Sequence, residues 1–256
     1  MKDVDAFLSG LPAEDTTPLV GDWLVEPVTR KTSLGRSVDG ASTVSLNNGL
    51  IRRAFSLAPN GATVAFDNLL TDQAILRGVS PEARVSVNGT ELDVGGLEGQ
   101  TQYGYLRREW VEQMTSAPGA LQLVGIDSGE TQAPFPWRRC RHHADLPWPA
   151  PGVRLSMRYT ASTSPVAVTV HYEMYDAVPV LVKWLEITNV SDGPVQINRF
   201  CVEVLAVVDY ESCVEGQKGW PYPTLHVESD YAFHGMTAAS ADVTTNWLPD
   251  PRYTSQ

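Results

Sequence analysis

The chain of 256 residues is 43% hydrophobic and 19% charged. That is enough apolar material for a packed core and too much for a disordered chain, and the length fits one large all-β domain as well as two small ones. A formal charge of −11 repels phosphate backbones and anionic headgroups, which excludes nucleic acid as a partner and electrostatic attachment to a membrane.

Residues 1–30 are acidic and carry Pro12, Pro18 and Pro27. They read as a lead-in segment with one short helix or strand, followed by a β-rich domain over 31–256. The N-terminus has no apolar h-region. The apolar runs Val178–Val182 and Val204–Val208 fall far short of the ~20 residues of a spanning helix. Three cysteines, Cys140, Cys201 and Cys213, form no CxxC pair, so neither a disulfide framework nor a zinc site is expected. A cytoplasmic location fits these features.

From Thr43 the texture is short β-like runs separated by turn residues. Thr43–Asn48 and Leu50–Phe55 form either two paired strands or one strand bent at Gly49, and Ala62–Asn68 follows. Ala83–Val87 and Thr90–Val94 flank Asn88-Gly89, which supplies the two positive φ angles of a type I′ turn. This predicts a hairpin. Leu106, Trp110 and Met114 at i, i+4, i+8 predict a short helix. Residues 127–152 are a long loop rich in Pro, Trp, Arg and His, and loops of that length in compact domains are often functional.

The second half reads as strand after strand. Val153–Tyr159 and Val166–Asp176 alternate apolar and polar residues, as half-buried antiparallel strands do. Pro179–Val190 has apolar residues on both parities and reads as a central strand covered on both faces. Pro194–Asp209 and Leu225–Tyr231 read as further strands, with a loop over 214–224. Long amphipathic helices are nearly absent, which excludes Rossmann and (β/α)₈ folds. The fold class is therefore all-β, an antiparallel sandwich with few short helices.

The segment from His171-Tyr-Glu-Met-Tyr-Asp176 through Lys183-Trp-Leu-Glu-Ile-Thr-Asn189 to Phe200 resembles the N-terminal β-supersandwich of family-36-type glycoside hydrolases, the α-galactosidase (melibiase) group. Leu46-Asn-Asn-Gly-Leu-Ile-Arg-Arg-Ala-Phe55, Val204-Leu-Ala-Val-Val208 and Leu225-His-Val-Glu-Ser-Asp-Tyr231 also resemble stretches of that group. The likeness spans roughly residues 30–256. It implies a galactose-mutarotase-like supersandwich and carbohydrate as ligand. It also implies a following catalytic barrel that carries both catalytic aspartates. No position here matches those aspartates, so no catalytic residue is expected in this chain, and the chain reads as cut before the barrel. A free-standing carbohydrate-binding protein and a mutarotase-type epimerase stand as alternatives, and a homo-oligomer is left open.

Trp137-Arg-Arg-Cys-Arg-His-His143, with Trp148 behind it, is a basic, aromatic island in an acidic chain. Aromatic rings stack on sugar faces, and Arg and His donate to hydroxyls. Trp137, Arg138, His143 and Trp148 are thus sugar-binding candidates, with Trp220 and Tyr222 of a second aromatic loop. The competing reading has Trp137 and Trp148 pinning the loop to the body and Trp220-Pro-Tyr222 plugging the core. His171/Glu173 and His226/Glu228 fit an acid–base pair by spacing. Two polar residues on a solvent-facing strand give the same spacing. Adjacent histidines 142 and 143 point apart, so no metal and no cofactor are expected.

Overall fold

The computed structural model describes residues 3–19, 21–133, 135–138, 146–207, 225–228, 250 and 252. The lead-in segment opens with helix α1 (Val4–Ser9), capped by the Asp3 carboxylate, which accepts the Asp5 N–H. Phe7 of α1 is buried in the main core. The chain then runs beside residue 36: the Glu14 N–H donates to the Arg36 carbonyl and the Arg36 N–H to the Pro12 carbonyl. The lead-in segment from Phe7 to Glu14 is therefore packed onto the sandwich.

Strands β1 (Ser33–Arg36), β2 (Thr43–Asn47), β3 (Ile51–Ser56), β4 (Ala62–Asn68) and β5 (Gln73–Ala74) pair in chain order as one antiparallel sheet. Of the two readings of residues 43–55, paired strands are found. The turn holds because Gly49 takes φ +85° and the Asn48 Oδ1 accepts the N–H groups of Leu50 and Ile51 at 3.0 Å each. After β6 (Leu76–Gly78) comes the hairpin of β7 (Ala83–Val87) and β8 (Thr90–Val94), with φ +51° at Asn88 and +82° at Gly89. Next come β9 (Leu97–Glu98), α2 (Arg108–Val111) and β10 (Thr115–Ser116). Only four residues of the 105–114 stretch are helical.

A strand not expected from the sequence, β11 (Gln122–Glu130), then pairs with β12 (Gly152–Thr160), β13 (Val166–Tyr175) and β14 (Leu181–Asn189) in a four-stranded antiparallel sheet. The long loop is thus shorter than the sequence suggests and spans 131–151. β14 is the last strand of this sheet among the described residues and is half-buried to exposed, which corrects its reading as a central strand. The expected long strand after residue 194 is broken into β15 (Ile197–Cys201), which pairs with β7, and β16 (Ala206–Val207), which pairs with β6. Residues 225–228 carry no strand, and the rest of that expected strand lies outside the described residues.

The protein is an antiparallel all-β sandwich. The main core is the contact between sheets: Val44, Leu46, Ile51 and Phe55 meet Val85, Val87, Val94, Ile126, Leu155, Met157, Val170, Tyr172 and Met174. The Phe55 and Tyr172 rings lie 4.7 Å apart. Each such side chain contributes roughly 1.5–3 kcal/mol on burial. A second cluster, Ala54, Val64, Val79, Leu97, Val111 and Met114, covers the other face of the five-stranded sheet. Being covered on both faces explains why β2 and β3 are buried at every position. No helix among the described residues is long and apolar enough to cross a membrane.

Candidate functional site

Three polar assemblies stand out. The first lies inside the sandwich. Arg53, on the inward face of β3, is 1% exposed. It donates to Glu203 through Nη1 at 2.6 Å and Nη2 at 3.2 Å, and to the Thr63 hydroxyl through Nε at 3.0 Å. Lys183 of β14 donates to Glu203 at 2.8 Å and to the Glu82 carbonyl. The Glu82 carboxylate accepts from the Thr63 N–H and hydroxyl and from the Tyr172 hydroxyl. Two cations and two anions thus share a site with every carboxylate bonded. Burial alone would raise the Glu203 carboxyl, but Arg53 and Lys183 prevail and hold it at about 2. Burial lowers Lys183 from the usual ammonium range, against the pull of Glu203 and Glu82. A carboxyl ionised this firmly has no proton to give at neutral pH, so Glu203 is unsuited to general-acid work.

The second assembly surrounds Arg52, on the opposite face of β3. Its guanidinium contacts Glu14 at 2.6 Å, Asp67 at 2.7 Å and Asp39. It ties the lead-in segment to β3 and β4 beside a cleft of about 170 Å³ lined by Val64, Leu76, Leu106 and Val111. Asp67 is raised by its burial despite Arg52. These carboxylates are engaged by Arg52, with Arg108 3.5 Å from Asp39.

The third assembly lies on the outer side of the four-stranded sheet. The loop over 131–151 leaves β11, returns into β12, and is tied at both ends: the Thr131 hydroxyl donates to the Ala150 carbonyl at 2.5 Å, and the Gln132 N–H to Glu173 at 2.7 Å. On it the Phe135 and Trp148 rings lie 5.4 Å apart, and Trp148 and Trp137 lie 5.6 Å apart. Phe135 and Trp148 are 50% and 42% exposed, Trp137 is half-buried and Arg138 exposed. Trp148 therefore packs on both Phe135 and Trp137, with open ring surface left over, where the pinned reading expects the tryptophans in the core. His143, Trp220 and Tyr222 lie outside the described residues, so of the expected set the structure brings together Trp137 and Trp148, with Arg138 exposed next to Trp137 in the chain. Phe135 is an addition that its isolated position in a Pro-rich run concealed.

His171 and Glu173 are not solvent-facing: they are 8% and 1% exposed. Glu173 is covered because it accepts the Gln132 N–H and the Tyr175 hydroxyl. His171 is covered by Trp184, whose ring stacks on it at 4.9 Å and 12°. Its Nδ1 is 2.8 Å from the Ser156 hydroxyl, and its Nε2 3.6 Å from Glu186. Burial depresses the imidazole below its usual range, more than Glu186 raises it. His226 and Glu228 bond each other at 2.8 Å in the open. No group of three His, Cys, Asp or Glu among the described residues is placed to hold a metal. No family model, curated protein or solved structure matches the chain.

Proposed function

We propose that this chain is a non-catalytic, carbohydrate-associated module of the kind its resemblance to family-36-type glycoside hydrolases implies, working beside a catalytic barrel and contributing to the wall of its sugar site. The observation that carries the reading is the partly exposed aromatic cluster of Phe135, Trp137 and Trp148 on a loop tied at both ends to a sheet. Exposed rings held in place offer stacking surface at low ordering cost. Arg138 beside them supplies donors for hydroxyls. The non-catalytic part is supported by the state of the interior carboxylates. Hydrolysis of a glycosidic bond needs one carboxyl protonated and one ionised, whereas Glu82 and Glu203 are both engaged by Arg53 and Lys183.

The test is titration of the folded chain with galactose and raffinose, read by tryptophan fluorescence and calorimetry, alongside Trp137→Ala and Trp148→Ala. Each substitution is expected to cost on the order of 2 kcal/mol of binding. It should cost under ~1 kcal/mol of stability, because the rings sit at the surface. A stability loss of roughly 3–5 kcal/mol, the scale of a core aromatic, with no sugar binding by the parent, would assign the loop to architecture.

A further inference from the structure

The register of the four-stranded sheet places Asp127, Ser156, His171 and Trp184 opposite one another in one lateral row across β11, β12, β13 and β14. All four lie on the outer side, because their strand neighbours Ile126, Leu155, Met157, Val170 and Tyr172 are in the core and side chains alternate. Adjacent strands are about 4.8 Å apart, so the row extends about 14 Å. Ser156 and His171 are its buried floor, while Asp127 and Trp184 stay half-buried. The next row along the strands holds Arg154 and Glu173, and Glu173 anchors the aromatic loop at Gln132. The row therefore begins one side-chain step from the loop's attachment.

The hydrogen bonds are directed. Arg154 Nη1 donates to the Ser156 hydroxyl at 3.2 Å. That hydroxyl can then donate to His171 Nδ1, leaving a neutral imidazole with its Nε2–H toward Glu186. The indole is fixed by stacking on that imidazole. Arg154 is the member whose bonding is incomplete. Its Nε is shielded from water without a partner, and it makes no ion pair among the described residues in a chain with 30 carboxylates. An unbonded buried donor carries its full desolvation cost, and that cost falls when a ligand oxygen draws the guanidinium into a complete set of bonds. The cross-strand neighbour of Arg154 is Gly129, where a Cβ would lie 3.5 Å from Nη2. The glycine places no side chain against that nitrogen.

We propose that this row, with Arg154, is a second binding subsite for a neutral pyranoside, continuous with the aromatic loop. The inference rests on the carbohydrate reading above and names the class of sugar. Along this face Arg154 and Arg158 of β12 alternate with Asp127, Glu173 and Glu186 of the neighbouring strands, so the charge is mixed and an anion would meet carboxylates as well as guanidinium. Hydroxyls both donate and accept, so they satisfy the acids and Arg154 together, while Trp184 offers an apolar face to the ring.

The test titrates the full chain with raffinose by calorimetry, with galacturonate as the charged comparison. Trp184→Ala is expected to weaken raffinose binding by about 30-fold, and Arg154→Gln and Asp127→Asn by about 10-fold each. Asp127→Asn is isosteric and half-exposed, so it keeps the test valid if Trp184→Ala melts early. Raffinose binding that is lost in Trp137→Ala and Trp148→Ala but unchanged in all three row variants would overturn the subsite and leave the loop reading standing. Tighter binding of galacturonate than of raffinose would overturn the choice of a neutral ligand. Failure of the parent chain to bind either sugar overturns both readings.

Discussion

At the scale of residues, the interior charges are where single changes cost most. Glu82→Ala would leave the Thr63 N–H, the Tyr172 hydroxyl and a share of the Arg53 and Lys183 charge without an acceptor. It is expected to lose about 3–5 kcal/mol in urea melts. The surface pair Arg84–Asp93, 49% and 41% exposed, is expected to yield under ~1 kcal/mol when Arg84 is changed to Ala. Equal losses at both sites would refute the contrast. Acid should act in two stages. His171 is depressed by burial from 6.5, against the pull of Glu186, so the unfolded chain binds the proton first and stability falls as pH drops below about 6.5. Glu203 stands at about 2 folded against 4.5 otherwise, held down by Arg53 and Lys183 against its burial. Its contribution is complete above about 4.5 and is lost as pH falls toward 2. With 29% of the side chain exposed, that loss is on the order of 2 kcal/mol. Melts from pH 7.5 to 3 should show both stages, and His171→Gln should remove the upper one alone. Stability that rises on acidification would contradict both assignments.

At the scale of elements, two glycines give a matched comparison. Gly89 and Gly95 both have positive φ. A Cβ at 89 meets nothing within 4 Å, whereas one at 95 meets the Gly61 carbonyl and the Tyr159 ring. Both alanine variants incur about 1 kcal/mol of backbone penalty. Gly95→Ala should lose several kcal/mol more, since backbone has to move. Similar losses would contradict a close approach of the Gly61 carbonyl to Gly95. The hairpin around Gly89 was legible because Asn-Gly encodes its turn locally. β12 and β13 were legible because their alternation records one buried face. β11 was not: Gly125, Asp127, Ser128 and Gly129 have low strand propensity, and its apolar signal is confined to Leu123, Val124 and Ile126. β14 reads as central because Val182 and Trp184 put apolar residues on its outer parity, while the lysine on its inner parity, paired with Glu203, blurs the alternation. The aromatic loop was visible as composition. The row beside it depends on strand register, which no local pattern states, and its buried His171, with Glu173 one step along the strand, carries the same polar alternation as a wet face.

At the scale of the whole molecule, far-ultraviolet circular dichroism should be β-dominated with under ~15% helix, against ~30–35% for an average domain. Helix at or above that average would be incompatible with the sandwich. The purified chain is expected to leave aryl α-galactosides and raffinose uncleaved. Turnover abolished by replacing one Asp or Glu within residues 1–256 would show a catalytic site that the charge pairing conceals. The interior cluster also sets an order of events during synthesis. Arg53 and Glu203 are 150 positions apart, and ribosomes add roughly 5–20 residues per second. The guanidinium is therefore made roughly 8–30 s before its closest carboxylate. Over that interval the nearer acid in the chain is Glu82, 3.7 Å away in the finished fold. The nascent five-stranded sheet can neutralise Arg53 early through Glu82, while the Lys183 and Glu203 half of the cluster closes only after β14 has been translated.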